Sequence, residues 1–392
     1  MISSRLVLIF PGFEKTTSAS QLDRVQYCAQ KTGEVWNFQH QRKSVTIPFD
    51  SSHAESESLT KGTNWQTSTR VVLFSWNDII EEYESLPHPK GFLRNMPKFI
   101  AFFADGTVWR YLKASHRYFY FTIYPLLLLA LFALLSAAAS WFVAGLALSG
   151  TGRIFVCLAA SIALTLLLCK NPGERWYLLM TINDWGFARD MVNRSNPQIE
   201  QRYKIFAEKL AGEISRSRHD EIVISGHSFG AVWAVAALAN ALAGNPRLLE
   251  GKRIVFLALG SSLLKIALAP RAAFLRQWIA DLTALPTLFW HEIQTKTDII
   301  AFYKSDPFKV LGIGNMKSGL QIDRVNYKRA MASKRYRKMR RSQFDTHRQY
   351  ILYQDNRVPF DYMLRLFGPL DTKVLATSPD EINRIDAAGR LM

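Results

Sequence analysis

From Phe119 to Gly152 the chain carries no charged residue, a run of 34 positions. A helix needs about 20 apolar residues to cross a bilayer. A core helix of a soluble domain would show polar positions along one side, and this run shows almost none. Arg153 interrupts the pattern, which resumes as "IFVCLAASIALTLLLC" and ends at Cys169 before Lys170. The second run has 16 residues, short for a full span unless the Arg153 side chain snorkels to the interface. With the turn "LSGTGR" between them, the two runs predict a helical hairpin that crosses a membrane twice. The alternative is a buried helical pair in a soluble core.

Flanking charge orients such a hairpin. Arg110, Lys113 and Arg117 precede it, Lys170 and Arg175 follow it, and the turn offers only Arg153. Both flanks are therefore expected on the cytoplasmic side, which makes the chain an integral protein of an inner or plasma membrane with its main domain in the cytosol. The N-terminal "MISSRLVLIFPGFE" has an apolar run too short for a secretory signal, broken by Pro11, so insertion is expected to rely on the hairpin.

A net charge of +17 suits either nucleic acid or an anionic membrane surface. The hairpin already supplies a reason for cytoplasmic positive charge, so the reading favours lipid and no nucleic acid. The stretch "NYKRAMASKRYRKMRRSQFDTHR" concentrates that charge between Lys328 and Arg341. A solvated face is the plain explanation. Attraction to anionic lipid, about 1 kcal/mol per basic residue near the surface, is the functional one, and Tyr327 and Tyr336 suit an interface. The three cysteines, Cys28, Cys157 and Cys169, form neither a disulfide framework nor a zinc spacing, as in a reducing compartment. No cofactor or metal is expected, and oligomeric state is left open.

Outside the hairpin, "RLVLIF" (5–10), "RVVLFSW" (70–76), "EIVISG" (221–226) and "RIVFLALG" (253–260) are continuous apolar runs. Runs of this kind suit strands inside a parallel sheet covered on both faces. Helical segments separate them: one from Ser20, read as an N-cap, another over 196–217, and "AVWAVAALANAL" after Gly230. The alternation predicts a doubly wound, mostly parallel α/β sheet. The expected division is residues 1–118 and 171–370 as two parts of one α/β domain, 119–170 as the inserted hairpin, and 371–392 as a loosely ordered tail. Residues 51–68, a largely polar stretch, are expected to form a surface loop.

The stretch "EIVISGHSFGAVWAVAALANAL" passes from strand to helix across "GHSFG". A sharp strand-to-helix turn leaves little room at its apex, so Gly226 and Gly230 remove Cβ atoms that would clash. Ser228 then stands exposed at the sheet's carboxyl edge and at a helix N-terminus. With the strand and loop "LIFPGFE" and the order of the partners below, this resembles the α/β-hydrolase superfamily, particularly its lipases and esterases. The resemblance covers most of the chain outside the hairpin.

It implies a nucleophilic serine, a histidine base and an orienting acid, in that chain order. His291 and His347 are the histidines well beyond the elbow. His347, in the C-terminal part where the family carries its base, is preferred, because His291 lies within a strand with no acid-bearing strand before it. The acid is expected at Asp298, just past the strand "TLFWHEIQ", with Asp306 as the alternative and a turn cap as the other reading of Asp306. The family's oxyanion donors map to the Phe229 amide, after the nucleophile, and to the Phe13 amide in the loop after the first strand. Pro11-Gly12 stands where the family often has histidine-glycine. The segment between "RIVFLALG" and the acid, rich in leucine, alanine and aromatics, reads as a packing helix, with a lid or acyl pocket as the family alternative. The activity implied is hydrolysis of a carboxylic ester or thioester, lipid-like in view of the anchor. The rivals are an acyltransferase with the same triad and a non-catalytic membrane scaffold of hydrolase fold.

Overall fold

The computed structural model describes residues 1–48, 52–147, 149–314, 317 and 319–392. The apolar runs form the middle of one eight-stranded sheet. Its strands are β1 (Ser4–Phe10), β2 (Gln39–Thr46), β3 (His53–Lys61), β4 (Gln66–Phe74), β5 (Glu221–His227), β6 (Ile254–Leu259), β7 (Leu288–Thr295) and β8 (Gly319–Val325). Their spatial order is β2-β3-β4-β1-β5-β6-β7-β8. β4, β1, β5, β6, β7 and β8 pair in parallel. β3 runs antiparallel to both β2 and β4. The fold is thus α/β with a mostly parallel, mixed sheet. β5, β6 and β7 are buried at every residue, which is why β6 and the middle of β5 are continuous rather than alternating apolar runs, while β7 buries the polar His291, Glu292, Gln294 and Thr295 as well.

Three strands depart from the sequence reading. Of the expected loop 51–68, residue 51 lies outside the described residues and 52–68 do not form a loop: β3 and the start of β4 occupy most of them. In β3 the inward positions are Ala54, Ser56, Ser58 and Thr60, all buried. The period-two pattern is present, but it is written in small polar residues that no hydrophobic count registers. β2 and β8 are the edge strands, β2 mostly exposed and β8 mostly half-buried. The first helix, Ser18–Trp36, is capped by Thr17, whose side chain accepts from the Ser20 amide, so Ser20 lies inside the helix rather than at its cap. The helix Pro197–Arg216 follows the expected boundaries, with Asn196 as its N-cap.

The chain divides into two compact units, Met1–Ile80 with Val192–Met392, and Glu81–Met191. The first unit holds the sheet. Its C-terminal end is not loose. Thr372–Thr377 is helical, Pro379–Arg384 is a 3-10 turn, and Leu375, Ile382 and Ile385 pack with Trp36 and Trp65. Those aliphatic side chains recur too irregularly in sequence to announce the packing.

The second unit is all helical and takes in more than the 119–170 segment. It includes His88–Ala104, Thr107–Ala114, His116–Ala147 and Gly150–Arg175. The last two contain spans, His116–Ala144 and Gly150–Arg175, that are long and apolar enough to cross a membrane. Only 22% and 11% of their most apolar windows is buried, so most of their leucine and aromatic surface faces outward. The two helices meet through Leu128, Phe132 and Cys169. Near their joined ends the Arg153 guanidinium lies 4.0 Å over the Trp141 ring and donates to the Trp141 carbonyl at 3.2 Å. Leu148, in the turn expected between them, lies outside the described residues.

Candidate active site

β5 ends at His227 and the helix Phe229–Gly244 begins two residues later. Ser228 makes the whole turn, with φ 55° and ψ −122°. A non-glycine residue at positive φ is uncommon, and holding one there costs on the order of 1–3 kcal/mol. The surrounding hydrogen bonds hold it. The Ser228 amide donates to the Leu259 carbonyl at 3.0 Å, and the Ser228 carbonyl accepts from the Ser262 and Ala231 amides, each at 3.1 Å. The two glycines are required by space. A Cβ on Gly226 would lie 2.5 Å from Ala231 Cα, and one on Gly230 would lie 1.8 Å from the Phe10 carbonyl oxygen.

His347 sits on the short helix Gln343–Arg348 and is buried. Its Nδ1 lies 2.7 Å from Asp298 Oδ2. Asp298 is completely buried, and its Oδ1 accepts from the Ile300 amide at 2.8 Å. The carboxylate can only accept, so the proton of a neutral His347 sits on Nδ1 and leaves the Nε2 lone pair bare. That Nε2 is buried and has no hydrogen-bond partner among the described residues. The ring lies beside the elbow. Ser228 bonds Leu259, and a Cβ on the next residue, Gly260, would come within 3.1 Å of His347 Cε1. Ser228 is buried rather than exposed as the sequence reading expects, because its hydroxyl is covered by the segment after β6 and bonds Ser262 Oγ at 3.2 Å.

The loop after β1 reaches the same place. A Cβ on Gly12 would be 3.1 Å from Ser228 Cβ, and the Phe13 and Phe229 rings are 6.3 Å apart. The Trp76 indole donates to the Pro11 carbonyl at 2.9 Å and holds this loop from β4's end. Ser228, Asp298, His347, Phe13 and Phe229 are thus gathered at the carboxyl edge of the sheet.

The other residues weighed from sequence fall elsewhere. Asp306 is the N-cap of the helix Pro307–Leu311, accepting from the Phe308 and Lys309 amides. His291 is buried on β7 and pairs with Asp323 of β8 at 2.8 Å. Burial holds its pKa down to about 4.

Several neighbours were not singled out from sequence. His227 donates from Nε2 to the His347 carbonyl at 3.0 Å, and the two rings lie 4.8 Å apart. Burial first, and the neighbouring His347 second, keep His227 neutral far below the usual imidazole range. Glu14 accepts from Arg24 at 2.7 Å and from Arg348 at 2.8 Å, tying the loop after β1 to the helix that carries His347. Lys265, also buried, lies 4.8 Å over the Phe229 ring. His227 and Glu14 stand inside the quoted motifs. Ser262 follows the β6 run directly, so proximity to a strand's carboxyl end was the available signal.

Among the described residues no group of three or more His, Cys, Asp or Glu is placed to hold a metal ion. Comparison of the chain with protein-family models, with curated proteins and with solved structures gives no match.

Proposed function

We propose that the chain is a membrane-anchored serine hydrolase that cleaves a carboxylic ester or thioester of lipid character through an acyl-enzyme. The observation that carries this reading is the Asp298–His347 pair, whose remaining imidazole nitrogen is bare and buried beside the strained Ser228 turn. A serine hydroxyl is a weak nucleophile until a base accepts its proton. A neutral imidazole with its proton fixed on the far nitrogen is that base. The reading also rests on the resemblance to α/β-hydrolases, whose partners follow in the chain order serine, acid, histidine.

In this mechanism Ser228 Oγ turns from Ser262 to His347 Nε2 and attacks the acyl carbonyl as its proton passes to Nε2. Asp298 stabilises the imidazolium and holds its plane. The Phe13 and Phe229 amides face the tetrahedral oxyanion, and a donor of this kind is worth about 3 kcal/mol. His347 then protonates the leaving oxygen or sulfur, and water, deprotonated by His347, releases the acid and restores Ser228.

The lipid character rests on the two outward-facing apolar helices. The basic run adds to it, with Lys334, Arg337, Lys338, Arg340 and Arg341 exposed in the helix Ser333–Met339 and just beyond it. The orientation that follows from the flanking charges puts this surface on the cytoplasmic side, where membrane lipid is anionic.

The test is hydrolysis of acyl esters and thioesters of graded chain length by the full chain in lipid nanodiscs. Wild type should turn over the longer chains best, and Ser228→Ala and His347→Ala should each reduce the rate to near background. A Ser228→Ala protein that hydrolyses as fast as wild type would overturn the proposal.

A further inference from the structure

At the opposite edge of the sheet lies a cavity of about 650 Å³, within the size range of small-molecule sites. Asp220, Arg253, Thr287 and Gly319 line it, at or just before the first residues of β5, β6, β7 and β8. It therefore opens at the amino ends of the strands, while Ser228 stands at a carboxyl end. Nothing in the hydrolytic proposal uses it.

Its walls are cationic. Arg218, Lys252, Arg253 and Lys373 all line it. Arg253 is partly neutralised by Asp371 at 3.3 Å. Lys252 donates to the Ser217 carbonyl at 3.0 Å, which fixes the ammonium but leaves its charge uncompensated. Lys373 lies 5.4 Å over the Phe289 ring, and Arg218 is exposed. Among the described residues Arg218, Lys252 and Lys373 form no ion pair. The carboxylate in the lining, Asp220, keeps its negative charge and is fixed by neutral donors: its Oδ2 accepts from the Ser3 amide at 2.8 Å, the Ser3 hydroxyl at 2.6 Å and the Ser4 amide at 2.9 Å, so cations still outnumber it in the walls.

Like charges that converge on one concavity repel until an anion enters, and low-dielectric walls focus their field there. Arginine offers a planar fork of donors that matches phosphate oxygens, and lysine offers a compact charge. We infer that this cavity binds the polyphosphate group of a small molecule, at a site separate from the hydrolytic centre. Its volume admits a nucleoside triphosphate as well as bare tripolyphosphate. The linear polyanion, rather than a single carboxylate, is what several separated cations fit.

The chain carries a net charge of +17, so any polyanion will adhere to it at low salt, and the experiment must separate a site from a charge cloud. Titration calorimetry of the full chain in nanodiscs of neutral lipid, at about physiological ionic strength, would use tripolyphosphate, ATP and adenosine. Saturable binding of one equivalent of tripolyphosphate and of ATP is expected, with none of adenosine. Arg218→Glu with Lys252→Glu should weaken it tenfold or more. Lys334→Glu with Lys338→Glu, the same charge change on the basic helix, should leave it unchanged. Lys373→Gln alone, mild enough to preserve the fold, should weaken it severalfold. Equal losses from the cavity pair and the distant pair, or no saturable binding of tripolyphosphate to the wild type, would overturn the inference. Binding of ATP but not tripolyphosphate would also overturn it, since the phosphates would not be what is read.

Discussion

His347 Nδ1 and Asp298 Oδ2 lie 2.7 Å apart, although the two residues are separated by 49 positions in the chain. Both are buried, so the pair is shielded from competing water and the imidazole is held in one tautomer. Asp298→Asn keeps the shape and removes the acceptor. If the pair orients a catalytic base, turnover of a long-chain ester should fall by about four orders of magnitude, as when the orienting acid of such a triad is lost. Steady-state kinetics with the folded variant check this.

Asp306 competes with Asp298 in sequence but not in geometry, because its carboxylate caps a helix. Asp306→Ala should lower stability by about 1 kcal/mol through the lost cap and leave the catalytic constant nearly unchanged. Chemical denaturation together with ester hydrolysis separates the two effects.

The elbow glycines make a sharper structural test. A methyl group at residue 230 would have to occupy the position of the Phe10 carbonyl oxygen, 1.8 Å away. Gly230→Ala should therefore sharply lower the yield of folded protein. Gly314→Ala, where a Cβ meets nothing within 4 Å, should shift stability by less than about 0.5 kcal/mol. The yield of folded protein for Gly230→Ala, and thermal unfolding of Gly314→Ala beside wild type in detergent, read the difference.

Glu292 is buried on β7, and burial, opposed by the Trp290 indole and reinforced by Asp306, pushes its pKa up to about 8. The folded state therefore keeps a proton that the unfolded chain gives up near pH 4.5. Its contribution to stability is complete below that pH and is lost as pH rises toward 8, at about 1.4 kcal/mol per unit. Glu292→Gln should flatten this slope. Urea midpoints measured between pH 5 and pH 8, ranges set by those two values, should fall for wild type and change less for the variant.

The proposed membrane orientation is open to direct chemistry. If the flanks are cytoplasmic, a cysteine placed at Thr151, in a background whose native cysteines are replaced, should react with an impermeant maleimide added outside intact cells. A cysteine at Glu14 should react only after lysis. The reverse pattern would invert the topology.

How much of this was legible in the chain depended on what each residue does physically. β6 and the middle of β5 were legible because burial on both faces favours an unbroken apolar run, and Ser228 because a tight turn forces glycine at two fixed offsets. Asp298 could be ranked over Asp306 from its distance past β7, and the pairing with His347 then needed coordinates. β3 was illegible because its inward face is alanine, serine and threonine, covered without being hydrophobic. The helices and cluster after Leu370 were missed because their few aliphatic anchors find partners, such as Trp36, at the other end of the sequence. Ser262 was missed because a serine after a strand is ordinary until the fold sets it against the Ser228 hydroxyl. The cavity at the strand starts was equally hidden, since Arg218, Lys252 and Lys373 come from separate segments.

The most direct measurement is the site of covalent labelling by a fluorophosphonate in native membranes. After labelling, digestion and mass spectrometry should place one phosphonyl group on the peptide containing Ser228, with the adduct lost on prior heat denaturation and absent from Ser228→Ala. A wild-type chain that is folded yet unlabelled, or an adduct that maps to another serine and persists in Ser228→Ala, would contradict Ser228 as the nucleophile.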